Sequence, residues 1–406
     1  MRNSVDELRV LMFSWEYPPH INGGMGNHVT ALVPALARQG IDVHLVTPRL
    51  NGGEAVEKVE SGVTIHRVEP ASWESGNIVT DAHEANSRMT HHAEAVVDEY
   101  GPFDLIHAHD WLVALSAFHF KHEYRWPLVA TIHATERGRC GGSVHSSLSI
   151  AIDYIEWQLC FEAWRLIVAS QYMGSQLGSF FRVPSNKLDI IPNGVDVSIY
   201  QRFDDAELAS FRRRFAGADE IILFHVGRLV HEKGAHTLVE AAPDILAEFP
   251  DVRFVIAGRG PMYATLQEIA YRLDVSHSFD FVGFVSDDDR DRLYRVADVA
   301  VFPSLYEPFG IVALEAMAAG TPVVVSNTGG LAEVVDAYET GLTHEPGNPE
   351  SLAWAVRHIL RHPDQASTWT ETAFNKIRTL FSWQYVAGQT VRAYEQILDE
   401  RAAVEW

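Results

Sequence analysis

Short apolar runs alternate with longer amphipathic segments along the chain. In the first half "RVLMFSW", "DVHLVT", "VTIHRV", "DLIHAH", "PLVATIHAT" and "RLIVAS" predict strands, because a continuous apolar run bounded by turn residues suits a strand buried on both faces. The stretches between them predict helices, as in "GNHVTALVPALARQG", where Gly40 marks the stop. Repeated strand–helix units predict a parallel sheet with helices on both faces, a doubly wound α/β architecture.

The rhythm restarts after "KLDIIPNGVDVSIY" with "IILFHV", "RFVIAG", "FDFVGFV", "DVAVFPS" and "PVVVS". A second domain of the same kind is therefore expected. The turn "PNGVD", with Pro192 and Gly194, suits the approach to a linker. This reading divides the chain into a first Rossmann-like domain at 1–198, a second Rossmann-like domain at 199–380 and a C-terminal helix at 381–406 able to cross back to the first. Open α/β sheets bind ligands beyond the carboxyl ends of their strands, so two in tandem predict a central cleft and direct attention to residues just after strands.

Composition narrows the class. The 406 residues are 47% hydrophobic, which supports a sizeable core in each domain. No apolar run reads as a signal peptide or membrane span, so a cytoplasmic location is expected. Cys140 and Cys160 are too few and too separated for a disulfide framework and are expected as thiols. Acidic residues outnumber basic ones by 54 to 32, for a formal charge of −22, which argues against nucleic acid as a partner. Lysine occurs only at Lys58, Lys121, Lys187, Lys233 and Lys376. An acidic, lysine-poor chain is what a salt-rich cytoplasm would favour, where charge is screened within about 3 Å at 1 M salt.

Candidate chemistry sits at the strand ends. "HVGRLVHEKGAHTLVEAA" carries Arg228 and Lys233 into a helix opening near Gly234, and two cations beside helix-terminal N–H groups suit a diphosphate. In "LYEPFGIVALEAMAAGTPVV", Glu307 precedes Pro308, a residue suited to a first helical turn, and Glu315 lies eight positions on, within an apolar run. Two acceptors so spaced could hold different parts of one long ligand, with the diphosphate on Arg228, Lys233 and the turn "NTGG". The loop "YPPHINGGMGNH" would let a ligand approach the backbone at Gly23, Gly24 and Gly26, but it is not a dinucleotide fingerprint.

"LIHAHDWL" places His107, His109, Asp110 and Trp111 after a strand. The two histidines share a face and could ligate a metal. Without an evident third and fourth ligand, hydrogen bonding and sugar stacking are preferred and no metal site is assigned. "ATIHATERGRCGG" brings His133 to the next strand end, followed by Glu136, Arg137 and Arg139. His133 could donate to a sugar hydroxyl or a phosphate, or be a satisfied core histidine. Asp287, Asp288 and Asp289 after Ser286 read as a capped helix start rather than a cation site.

Taken together, "WEYPPHINGGMGNHV", "HAHDW", "TIHATERGR", "IPNGVD", "GRLVHEKG", "GRGP" and "PSLYEPFGIVALEAMAAGTPVVVSNTGGLAEVV" resemble the GT-B retaining glycosyltransferases of family 4, related to the glycogen and starch synthases of family 5. The resemblance implies two Rossmann-like domains, no cofactor or metal, a UDP-, ADP- or GDP-hexose donor and a saccharide acceptor. It implies diphosphate binding by Arg228 and Lys233, ribose binding by Glu315, hexose binding by Glu307, and a sugar contact at His133. Phe309, Gly310 and Ile311 join the donor set with Gly23 and Gly24. His109, Asp110, Trp111, Glu136 and Arg139 are acceptor-side candidates. Glycogen synthases carry Lys-x-Gly-Gly where Ile21 stands in "INGG". "SWEYPP" with "HATERGR" is closer to family 4 α-glucosyltransferases, so glucosyl transfer to a glucan or oligosaccharide is the leading expectation. The alternatives are mannosyl or other hexosyl transfer to a lipid or small molecule, an epimerase of GT-B shape and a non-catalytic sensor. The oligomeric state is left open.

Overall fold

The computed structural model describes residues 8–69 and 75–406. Residues 1–7 belong to the segment read for a signal peptide, so that reading lies partly beyond the described residues. Two compact units form: Met1–Asn193 with Trp383–Trp406, and Gly194–Ser382.

The first unit is built on eight strands: β1 Leu8–Phe13, β2 Ile41–Pro48, β3 Val56–Glu60, β4 Val63–Val68, β5 Leu105–His109, β6 Leu128–Ile132, β7 Arg165–Val168 and β8 Leu188–Ile190. Their order is β3-β4-β2-β1-β5-β6-β7-β8. All pairings are parallel except the antiparallel edge pair β3–β4. Alternate residues serve opposite faces. Leu11 and Phe13 join one buried cluster with Ile106, Ala108 and Ala130, whereas Val10 and Met12 join another with Leu105 and Val129. That second cluster takes in Val386, Tyr394 and Ile397 of the C-terminal helix Trp383–Ala402, which covers the helix Gly24–Ala37 side of the sheet.

The second unit contains β9 Ile221–Val226, β10 Val252–Ala257, β11 Phe279–Gly283, β12 Val299–Phe302, β13 Val323–Ser326 and β14 Leu342–His344. The order β11-β10-β9-β12-β13-β14 is parallel throughout. The strand order reverses direction between β9 and β12, the switch point at which such sheets leave an opening beyond their carboxyl ends. Among the described residues no helix is long and apolar enough to cross a membrane.

Candidate functional site

In the second unit, the loops after β9 and β12 are tied together by their backbones. Leu305 and Tyr306 donate N–H bonds to the Glu232 carbonyl at 2.8 and 3.2 Å. The β9 loop closes with a 3-10 turn, His231–Lys233, and Gly234 then starts the helix Ala235–Leu246. Gly234 has φ +68°, and a Cβ there would stand 1.9 Å from the Pro303 carbonyl oxygen, so only glycine fits.

This closure brings Lys233 to Glu307. Lys233 Nζ lies 2.6 Å from Glu307 Oε2, and Ser304 Oγ donates to the same oxygen at 3.3 Å. Glu307 is buried, whereas Arg228 is exposed and stands 3.5 Å from Glu232. Two cations thus converge on the switch point, one held by a carboxylate and one extended into solvent.

Pro308 does not open a helix. The helix runs Ile311–Ala318, with Gly310 at its start in a left-handed conformation, φ 107°. A Cβ on Gly310 would clash with Leu331, and one on Gly330 would stand 2.3 Å from Phe309 Cα, so the "NTGG" turn packs directly on this loop. Glu307 therefore belongs to the loop, with Phe309 buried behind it and the first amides of Ile311–Ala318 opening beyond Gly310. Glu315, one turn into the helix, is buried. Its Oε2 accepts from the Tyr294 hydroxyl at 2.9 Å, and Oε1 stands 4.0 Å from Arg290 Nη2. Burial pushes its carboxyl above the usual range, against the opposing pull of Arg290 and Tyr294. Asp287, Asp288 and Asp289 form the first turn of the helix Asp287–Val296, capped by Ser286 Oγ on the Asp289 N–H at 3.1 Å, and they pair with arginines.

In the first unit the ends of β5 and β6 bring histidines together. His109 Nδ1 lies 3.2 Å from His133 Nε2. His28, from the helix Gly24–Ala37, stacks edge-on at 4.9 Å from His133 and 5.4 Å from Trp383. One ring nitrogen from each of His28, His109 and His133 falls within 4.8 Å of the others. Burial drives His28 and His133 down to about 3, and His109 well below its ordinary value, so all three rings are neutral at physiological pH. His107 is spent elsewhere. Its nitrogens bond Tyr394 Oη at 2.6 Å and Thr131 Oγ1 at 2.7 Å. The metal-like pairing of His107 with His109 is accordingly replaced by a cluster of His109 with His28 and His133.

Asp110 holds this corner. Its φ is +61°, an uncommon value for a side-chain-bearing residue. Its Oδ1 accepts the His133 N–H at 2.7 Å. Burial raises Asp110 to about 6 despite that bond. Trp111 is buried, in the same apolar cluster as Val113, Ala114 and Ala117. Glu136 and Arg139 lie on the short helix Glu136–Arg139. The Glu136 N–H donates to both oxygens of buried Glu156, at 2.9 and 3.0 Å, and burial raises Glu156 to about 8. The glycine loop is also occupied from within. Glu16 Oε2 accepts from the Asn22 and Gly23 N–H groups at 3.0 and 3.2 Å, and a Cβ on Gly26 would meet that oxygen at 2.6 Å. The backbone approach expected at Gly23 is thus taken by the chain's own carboxylate, while Gly24 opens the helix. His28 carried no periodicity to single it out, because its helix also holds Asn27 and Thr30.

Comparison with known proteins bears on the family. Residues 22–199 match Glycosyltransferase Family 4, and residues 209–376 match Glycosyl transferases group 1. An uncharacterized glycosyltransferase of Methanocaldococcus jannaschii is 38% identical over 96% of this chain and 98% of its own. A glycogen synthase of Mycobacterium tuberculosis is 36% identical over 95% and 94%. The solved sucrose-phosphate synthase of Thermosynechococcus elongatus superposes with a TM-score of 0.81 at 25% identity, covering 97% of this chain and 100% of that one. The chain belongs to the GT-B glycosyltransferases of the family 4 and 5 type.

Proposed function

We propose that this glycosyltransferase moves a hexose, in the first instance glucose, from a nucleoside-diphosphate sugar to an α-glucan or oligosaccharide with retention of configuration. The observation that carries the reading is the Lys233–Glu307 pair beside the exposed Arg228. An incoming diphosphate competes for Lys233 and recruits Arg228 through charge-assisted bonds. Its arrival loosens Lys233 from Glu307, whose carboxylate then accepts bonds from hexose hydroxyls. Glu315 takes the ribose, and the amides beyond Phe309, Gly310 and Ile311 face negative charge at a helix start.

Transfer breaks the bond between the anomeric carbon and the leaving diphosphate. The acceptor oxygen attacks from the same face and its proton passes to a diphosphate oxygen, so no carboxylate nucleophile is required. Arg228 and Lys233 stabilise the charge that develops on the leaving group, which makes a metal unnecessary. His133, neutral through burial, contacts the sugar as a hydrogen-bond partner rather than as a cation. The glycogen synthase name of the mycobacterial relative supports a glucan acceptor. The test is a screen of UDP-, ADP- and GDP-hexoses for nucleotide release, with and without maltooligosaccharides. Release that rises with the oligosaccharide supports the reading; conversion of the donor alone to another nucleotide-sugar refutes it in favour of an epimerase.

A further inference from the structure

The histidine cluster of the first unit contains more donor capacity than sugar contact requires. His28 is 4% exposed. Its Nδ1 lies 2.6 Å from Asn193 Oδ1, and because that oxygen can only accept, the proton sits on Nδ1 and the lone pair on Nε2. That Nε2 is buried and has no hydrogen-bond partner among the described residues. A buried polar atom without a partner calls for a water or an ion. We propose that His28, His109 and His133 form a capture site for a borderline divalent cation of the zinc class, and that an ion held there blocks transfer by taking the His133 nitrogen.

The geometry fits such an ion. Two nitrogens each about 2.05 Å from a tetrahedral zinc stand about 3.3 Å apart, and His109 Nδ1 and His133 Nε2 are already 3.2 Å apart. One ring nitrogen of each of the three histidines lies within 4.8 Å of the others, so closing the triangle needs a shift of at most about 1.5 Å. Asn193 supplies the outer-shell acceptor that fixes the His28 ring, the arrangement that orients metal-bound imidazoles. Three protein ligands leave a fourth position open. The ligands come from three separate segments, the helix Gly24–Ala37 and the ends of β5 and β6.

Cobalt(II) is the probe, because a tetrahedral site gives it intense visible absorption. The full chain should take up one cobalt with that signature and release it to zinc. His28→Gln and His109→Gln should each weaken binding at least tenfold, whereas His358→Gln, on the far unit beside His362, should leave it unchanged. No tetrahedral band, or affinity unchanged from the unaltered protein in the His28 and His109 variants, overturns the site. Zinc-soaked crystals of the unaltered protein guard against misfolded variants: the anomalous peak should lie among these three rings, and a peak only elsewhere refutes the assignment. The blocking step rests on the sugar-contact role given to His133. Zinc should inhibit transfer and a chelator should restore it to the metal-free level; stoichiometric binding without inhibition overturns the blocking step while leaving the site in place.

Discussion

Replacing Lys233 with methionine would strand the Glu307 carboxylate, buried, with Ser304 Oγ at 3.3 Å as its remaining neighbour. Breaking a buried pair by removing one partner costs about 3–5 kcal/mol. Here the side chains are 22% and 9% exposed, so the lower part of that range applies. The expected loss is therefore about 3–4 kcal/mol. For a unit of this size that lowers Tm by roughly 6–16 °C. Removing the charge of Glu307 as well should restore most of it, because the double variant Lys233→Met/Glu307→Gln buries no lone charge; a coupling of at least about 1.5 kcal/mol is expected. Scanning calorimetry of the wild type, both single variants and the double variant measures this on the transition of the second unit. An unchanged Tm in Lys233→Met, or a double variant that melts below it, would show that Lys233 and Glu307 are not coupled as described.

Three further outcomes follow from the same structure. On the proposed roles, Glu307→Gln should chiefly lower kcat, because the hexose assigned to it gains positive charge in the transition state, whereas Glu315→Gln should chiefly raise the donor KM; steady-state kinetics giving both variants the same pattern would contradict those roles. The first unit should lose stability steeply as pH falls from 6.5 towards 5. His28, His66, His107 and His133, each held near 3, bind protons only when unfolded over that range, while Asp110 and Glu156, raised to about 6 and about 8, bind theirs when folded; two protons of net excess in the unfolded state give about 3 kcal/mol per pH unit between pH 5 and 6, and a flat denaturation profile there would contradict the burial argument. With a formal charge of −22, Tm should rise from dilute buffer to molar potassium chloride, and a falling Tm would remove the salt-rich-cytoplasm reading.

The apolar strand runs were legible because parallel strands buried on both faces leave uninterrupted Val, Ile and Leu, as in "IILFHV" for β9. Strand β3, "VEKVE", was not, since it is a largely exposed antiparallel edge whose charges break the run. Strand β14, Leu342–His344, is too short to carry a pattern. Proline at 308 suggested a helix start that Gly310 in fact provides, because backbone φ decides the boundary and proline only permits it. Lys233 and Glu307 were legible as separate strand-end residues, but their contact spans 74 positions and depends on the order of β9 and β12 in the sheet. The histidine cluster was half legible. His109 and His133 end adjacent strands, whereas His28 reaches them only through the packing of a helix that sequence spacing does not orient.

The stereochemistry of the product tests the central claim most directly. A nucleoside-diphosphate α-glucose incubated with a maltooligosaccharide and followed by proton NMR should yield free nucleoside diphosphate and a new α-glycosidic anomeric doublet, in equal amounts and without added metal. A β-linked product, or consumption of the donor with no new glycosidic bond, would contradict same-face transfer through the Arg228, Lys233 and Glu307 site.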